Sequence, residues 1–197
     1  MFGRDLLKHL REFRRYFTNH QWERSEEGVY FPKAHALLSG RYTHWVSGAP
    51  EFVATDSNIV PDEGLNHFLS VALKSGAQIT TWYLGIHSGS GTPAASTAAA
   101  NYHSTLTEIS SGYTEANRVT WSGDAVDTVN TEVVNDASPA QFTISGSVAV
   151  NGAALISVST KQSTSGTLLS AGKFAATRNL ADTDVFNLKY KVDLDAA

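Results

Sequence analysis

From residue 79 to residue 194 the chain reads as short apolar and β-branched runs broken by Gly, Asn, Asp, Ser or Pro. The runs are ITTWYLGIHS, NRVTWSG, DTVNTEVVN, AQFTISGSVAVNGAALISVS, GTLLSAGKFA and VFNLKYKVDLD. Several alternate with a period of two, as in Phe142 and Ile144, or Phe186, Leu188, Tyr190, Val192 and Leu194. Each such strand has one face for a core and one for water. Strands this short, at this spacing, predict a mainly β fold of the β-sandwich or jelly-roll kind. Asn151-Gly152 resembles a hairpin turn inside one of these runs, with a continuous bent strand as the alternative.

Two stretches follow the helical period instead. Phe2, Leu6, Leu10, Phe13 and Phe17 recur at steps of four, four, three and four. This is one face of an amphipathic helix over residues 1–20. Arg4, Lys8, Arg11, Arg14 and Arg15 lie on or beside its remaining surface. A helix this short is marginal alone in water. Its stripe must therefore dock on its own β domain, on a neighbouring copy or on another protein, with a membrane surface the least supported alternative. The second helix is expected over residues 61–73. Pro61 suits its first turn, Asp62 and Glu63 suit its positive end, and Leu65, Phe68, Leu69 and Ala72 form one face. Gly76 suits its C-terminal cap.

Between the helices, residues 21–57 read as an extended, aromatic-rich arm. Tyr30, Phe31, Tyr42, Trp45 and Phe52 are separated by Gly and Pro. Such aromatics either anchor a partner surface or pack on the protein's own core. The domain plan is thus a helix over 1–20, an arm over 21–57, and a β domain over 58–197 led by the short helix.

Composition narrows this picture. Of the 197 residues 42% are hydrophobic and only 17% charged, so Ser, Thr, Asn, Ala and Gly supply much of the surface. Nine Phe, seven Tyr and four Trp supply a core. With no cysteine, disulfides and thiolate metal sites are excluded. No apolar run approaches the ~20 residues of a membrane span. Charges interrupt the N-terminal apolar residues, which predicts a protein made in a cytoplasm. Residues 1–40 hold seven Lys/Arg and five Asp/Glu, net +2; residues 41–197 hold eight and fourteen, net −6. A basic arm on an acidic body suits an acidic partner surface, and suits an ordinary solvated helix face as well.

Candidate chemistry is sparse. Gly89-Ser90-Gly91-Thr92 lacks the glycine spacing, the lysine and the following helix of a phosphate-binding loop, and it does not open a βαβ unit. It predicts a long, mobile connection of small residues over 89–100. Ser90 lacks the Gly-x-Ser-x-Gly context of an esterase. The seven histidines form no His-x-x-x-His pair, and His87, His103 and Glu108 are the nearest approach to a metal set. Glu108 and Glu115 are the nearest approach to a glycosidase pair, and are expected to be solvated. The body is acidic, which argues against nucleic acid as a partner.

The ordered set Asn58-Ile59-Val60, Gly64-Leu65-Asn66, Trp82-Tyr83-Leu84-Gly85-Ile86, Thr107-Glu108, Tyr113, Arg118, Phe142, Gly152-Ala153-Ala154-Leu155 and Ser165-Gly166-Thr167-Leu168-Leu169 resembles a family of tailed-bacteriophage virion structural proteins. The match covers residues 58–194. It departs at VVNDASPAQFTI, where Pro139 stands in place of the family's Asn-Ser-Ala approach to the Phe strand. The resemblance implies a structural, non-enzymatic role in a virion, with no cofactor and no metal. The best-fitting role is a capsid decoration or cement protein on the outer shell. The alternative is a tail, neck or fibre-base adaptor, with or without a glycan-binding head. The implied partners are the major capsid protein or other virion proteins, with self-association as a trimer or dimer, and neither nucleic acid nor membrane. Partner contact is assigned to the basic amphipathic helix (Phe2, Leu6, Leu10, Arg11, Phe13, Arg14, Arg15, Phe17) and to the arm (Tyr30, Phe31, Tyr42, Trp45).

Overall fold

The computed structural model describes residues 22–24, 30–32, 36–49 and 53–196. The expected helix over 1–20 lies outside the described residues. The chain divides into two compact units, Met1–Leu37 with Asp195–Ala197, and Leu38–Leu194. In the first unit β1 (Trp22–Arg24) pairs antiparallel with β2 (Tyr30–Pro32), Glu23 opposite Phe31.

The second unit is mainly β, built from two antiparallel sheets. One has the order β10 (Leu168–Leu180), β9 (Val148–Ile156), β5 (Trp82–His87), β6 (Val119–Trp121). The other has the order β4 (Ala54–Ser57), β3 (Ala36–Val46), β11 (Val185–Ala196), β7 (Glu132–Val134), and β8 (Ala140–Thr143) also pairs with β11. The strands predicted from period-two runs are therefore present. Asn151 and Gly152 sit inside continuous β9 rather than in a turn.

The main core draws on both sheets, as a β-sandwich requires. Tyr42, Phe186, Leu188 and Tyr190 come from one; Leu84, Ile86, Val150, Leu155 and Phe174 come from the other. Aromatic rings knit it together, with Tyr42 and Tyr190 centroids 4.7 Å apart and Phe142 and Phe186 6.2 Å apart.

The boundary expected at residue 58 falls too late. β3 and β4 belong to the second sheet, so only the part of the arm before Leu38 lies outside this unit. The physical reason lies in β3 itself. Gly40, Tyr42 and His44 point inward while Arg41 points to solvent, which is strand alternation. His44 can be buried because each ring nitrogen has a partner. Nε2 lies 2.9 Å from Asp56, and Nδ1 accepts from Arg178 at 3.2 Å. The ring also stacks on Phe174 at 3.8 Å.

Helix α1 (Asp62–Leu73) forms as predicted, with Pro61 at its N-cap. Its C-terminus differs from expectation. Ser75, not Gly76, takes the left-handed conformation, at φ 55°, and Gly76 N–H donates back to Ser70 O at 2.9 Å. The stretch expected as a mobile connection is built differently too. Pro93 and Thr97 are buried, and Ala99–Thr105 forms a second helix, α2. Asn101 Oδ1 accepts from Ala98 N–H at 2.9 Å, which starts this helix.

Candidate interaction surface

Buried polar groups are the first place to look for chemistry, and here they lock loops together. Glu108 follows α2, and Arg118 precedes β6. Their side chains are completely buried, and the guanidinium grips the carboxylate with both prongs: Nε to Oε1 at 2.6 Å and Nη2 to Oε2 at 2.8 Å. Arg118 Nη1 also donates to Val158 O at 2.8 Å, and Gln162 N–H donates to Glu108 Oε2 at 2.7 Å. Both carboxylate oxygens are engaged, so Glu108 is not the solvated side chain expected. Glu115 is likewise used structurally, accepting Thr143 N–H at 3.1 Å.

The pair sits against Gly85. A Cβ there would come within 3.2 Å of Glu108 Oε1 and 3.5 Å of Arg118 Nε, so glycine lets the charges sit close against the strand. His87, two residues on, points inward. Its Nε2 lies 3.1 Å from Gly172 O, so Nε2 carries the proton, and Nδ1 has no partner among the described residues. Burial lowers its pKa to about 4, so the ring is neutral near pH 7. Tyr102 lies edge-on to it at 6.0 Å, and burial raises its phenol pKa well above the ordinary value. His87 and Glu108 are thus neighbours across an isolated bridge, but each is committed elsewhere. Among the described residues no three His, Asp or Glu side chains converge as metal ligands.

A second lock joins α1 to the sandwich. Glu63 Oε2 accepts both Ala99 N–H at 2.8 Å and Leu168 N–H at 2.7 Å. Gly64 lies so close to β10 that an added Cβ would sit 2.5 Å from Leu169 O. A third lock pairs Ile59 with Ala171 through two backbone hydrogen bonds of 2.9 and 3.1 Å.

These locks hold α1 so that its apolar face points outward. Leu65, Phe68, Leu69 and Leu73 are all exposed, and Gly64 is the helix's buried residue. Phe68 also forms one wall of a groove of about 490 Å³, with Leu38, Val126, Leu169, Val192 and Leu194. Leu65, Phe68 and Leu69 share the face that their period predicts; that this face is left in water could not be read from the period.

The residues assigned to partner contact fare differently. Phe2, Leu6, Leu10, Arg11, Phe13, Arg14, Arg15 and Phe17 lie outside the described residues. Tyr30 and Phe31 fall in β2. Tyr42 is wholly buried, its hydroxyl 2.5 Å from Ser170 Oγ, so it is a core residue and offers no surface. Trp45 is half-buried on the sheet, with Lys189 Nζ 5.4 Å from its ring centre. No family model matches this chain, and no curated protein matches it.

Proposed function

We propose that the chain is a structural protein of a tailed-bacteriophage virion. In this reading it is a decoration or cement protein, a sandwich of the jelly-roll kind seated on the outer shell. The basic segment over residues 1–20 and the aromatics of the arm before Leu38 bind capsid subunits. One observation carries the reading: the ordered motifs that resemble the virion family are, in this chain, mutually contacting positions. Gly85 makes room for Glu108 and Arg118, Gly64 abuts Leu168 and Leu169, Ile59 pairs with β10, and Gly152 lies against His87. Motifs scattered over more than a hundred residues meet at these contacts, so they mark the joints of the fold. The Glu108–Arg118 lock speaks for a scaffold, because its polar atoms are spent on one another and on nearby backbone. Many weak contacts repeated over a shell would supply avidity.

The test is location and copy number. The protein should be found in purified particles at a stoichiometry near that of the major capsid protein, measured by gel densitometry. Deleting residues 1–20 should abolish binding to empty shells while the β domain stays folded. A few copies per particle would move the protein to the tail or neck, and absence from particles would end the virion reading.

A further inference from the structure

We propose that the outward face of α1, with the groove beside it, is a two-fold interface between copies of this chain. Leu65 is 40% exposed, Phe68 39%, Leu69 51%, Leu73 73%, Val126 63% and Leu194 37%. Together these side chains hold on the order of 550 Å² of apolar surface in water. That is at the upper end of what a monomer leaves uncovered in one place. Homodimer interfaces are about 65% apolar, so a patch of this size implies a footprint of about 850 Å². A stable complex needs roughly 800 Å² per partner.

Shape and charge choose the occupant. The face carries a ridge, Leu65, Leu69 and Leu73, next to a groove of about 490 Å³ whose wall is Phe68. A surface that holds a ridge and a groove side by side can bind its own copy turned by 180°, each ridge entering the other's groove. The charges on α1 fit the same operation. Asp62 stands exposed at its start and Lys74 exposed just past its end. The twelve residues of α1 span about 18 Å. Two such helices packed antiparallel set the Lys74 end of each copy beside the Asp62 end of the other, with helix dipoles opposed. A partner of unrelated sequence would have no reason to match this end-to-end reversal. The inference is independent of the virion reading, because it concerns the free protein.

Sedimentation equilibrium of the full chain, from about 1 to about 100 µM, tests it. The expected result is a concentration-dependent mass of two copies. Leu69→Asp with Leu73→Asp should weaken association by about 100-fold and still give a folded single copy with a cooperative thermal transition, because both side chains are exposed. Asp62→Lys alone and Lys74→Asp alone should each weaken it about five- to tenfold. Both changes in one chain should restore it, since opposite charges then face each other again at each end of the helix pair, with their signs exchanged. A single-copy mass at every concentration, a three-copy mass, or a dimer indifferent to the leucine changes would overturn the proposal. Failure of the double charge reversal to restore association would overturn the antiparallel pairing.

Discussion

Arg118→Met tests the claim that the buried ion pair locks the loops around β5. The substitution removes three donated hydrogen bonds, two to Glu108 and one to Val158 O, and leaves the Glu108 carboxylate wholly buried with Gln162 N–H as its remaining donor. Deleting one partner of a buried pair leaves an uncompensated charge and costs about 3–5 kcal/mol. A unit of this size loses about 2–4 °C per kcal/mol, so the melting temperature should fall by roughly 10 °C. Glu108→Gln should cost a comparable amount, because the guanidinium is then the stranded charge. The double variant, Glu108→Gln with Arg118→Met, removes both charges together. It should be more stable than the sum of the single losses predicts, by about 2 kcal/mol. Urea unfolding followed by circular dichroism gives all four free energies by linear extrapolation. A loss below about 1 kcal/mol for Arg118→Met would refute the reasoning, since a stranded buried charge costs several times that. Additivity within about 0.5 kcal/mol would also refute it, because it would mean that the two side chains do not act through each other.

Other outcomes follow from the same contacts. Gly152→Ala drives a Cβ into Gly172 O and the His87 ring, both fixed, and should yield no cooperatively folded protein in a thermal melt. Gly85→Ala meets atoms no closer than 3.2 Å and should fold with a loss of about 1–3 kcal/mol by the same melt. Glu63→Ala strands the N–H groups of Ala99 and Leu168 and should cost about 3 kcal/mol in urea unfolding. His87 has a folded pKa of about 4, below its ordinary 6.5, so the unfolded chain takes up the proton first as pH falls. Stability should therefore be full above pH ~6.5 and decline by about 3 kcal/mol on the way to pH ~4. His87→Gln should flatten that part of a stability–pH curve, and an unchanged slope would show that other groups set it.

Much of the fold was legible because period two survives wherever a strand keeps one face in the core. β11 is the clearest case, with Phe186, Leu188 and Tyr190 all buried. β3 is hidden because its inward positions are Gly40, Tyr42 and His44, and a histidine reads as polar until Asp56 and Arg178 are seen to satisfy it. The placement of Trp45 beside His44 further masks the alternation. α2 is hidden because PAASTAAANYHST has no amphipathic stripe; its few buried residues, Ala99 and Tyr102, are too sparse to show a period. The Glu108–Arg118 lock is visible in the sequence only as two isolated charges ten residues apart. Its partners Gly85 and Val158 come from different strands and loops, and no local spacing brings them together.

The locks also change what the α1 face means. An apolar stripe at helical spacing normally predicts the buried side of a helix, since burial is what holds a short helix in place. Here α1 is held by other means. Glu63 binds two backbone N–H groups from its first turn, and Gly64 lets the helix backbone touch β10. With its attachment supplied by a carboxylate and a glycine in its first turn and by His67 edge-on to Trp82 at 5.7 Å, the helix does not need its leucines for its own anchoring. Leu65, Leu69 and Leu73, only part-buried, each forgo about 1–2 kcal/mol of burial that a turn of the helix toward the sandwich would have gained. A chain that anchors a helix by its polar first turn, and leaves its apolar side outward beside an apolar groove, has separated the helix's attachment from its contact face. Breaking the Glu63 anchor should therefore destabilise the single folded copy as well as self-association, whereas Leu69→Asp with Leu73→Asp should weaken self-association and leave the single copy folded.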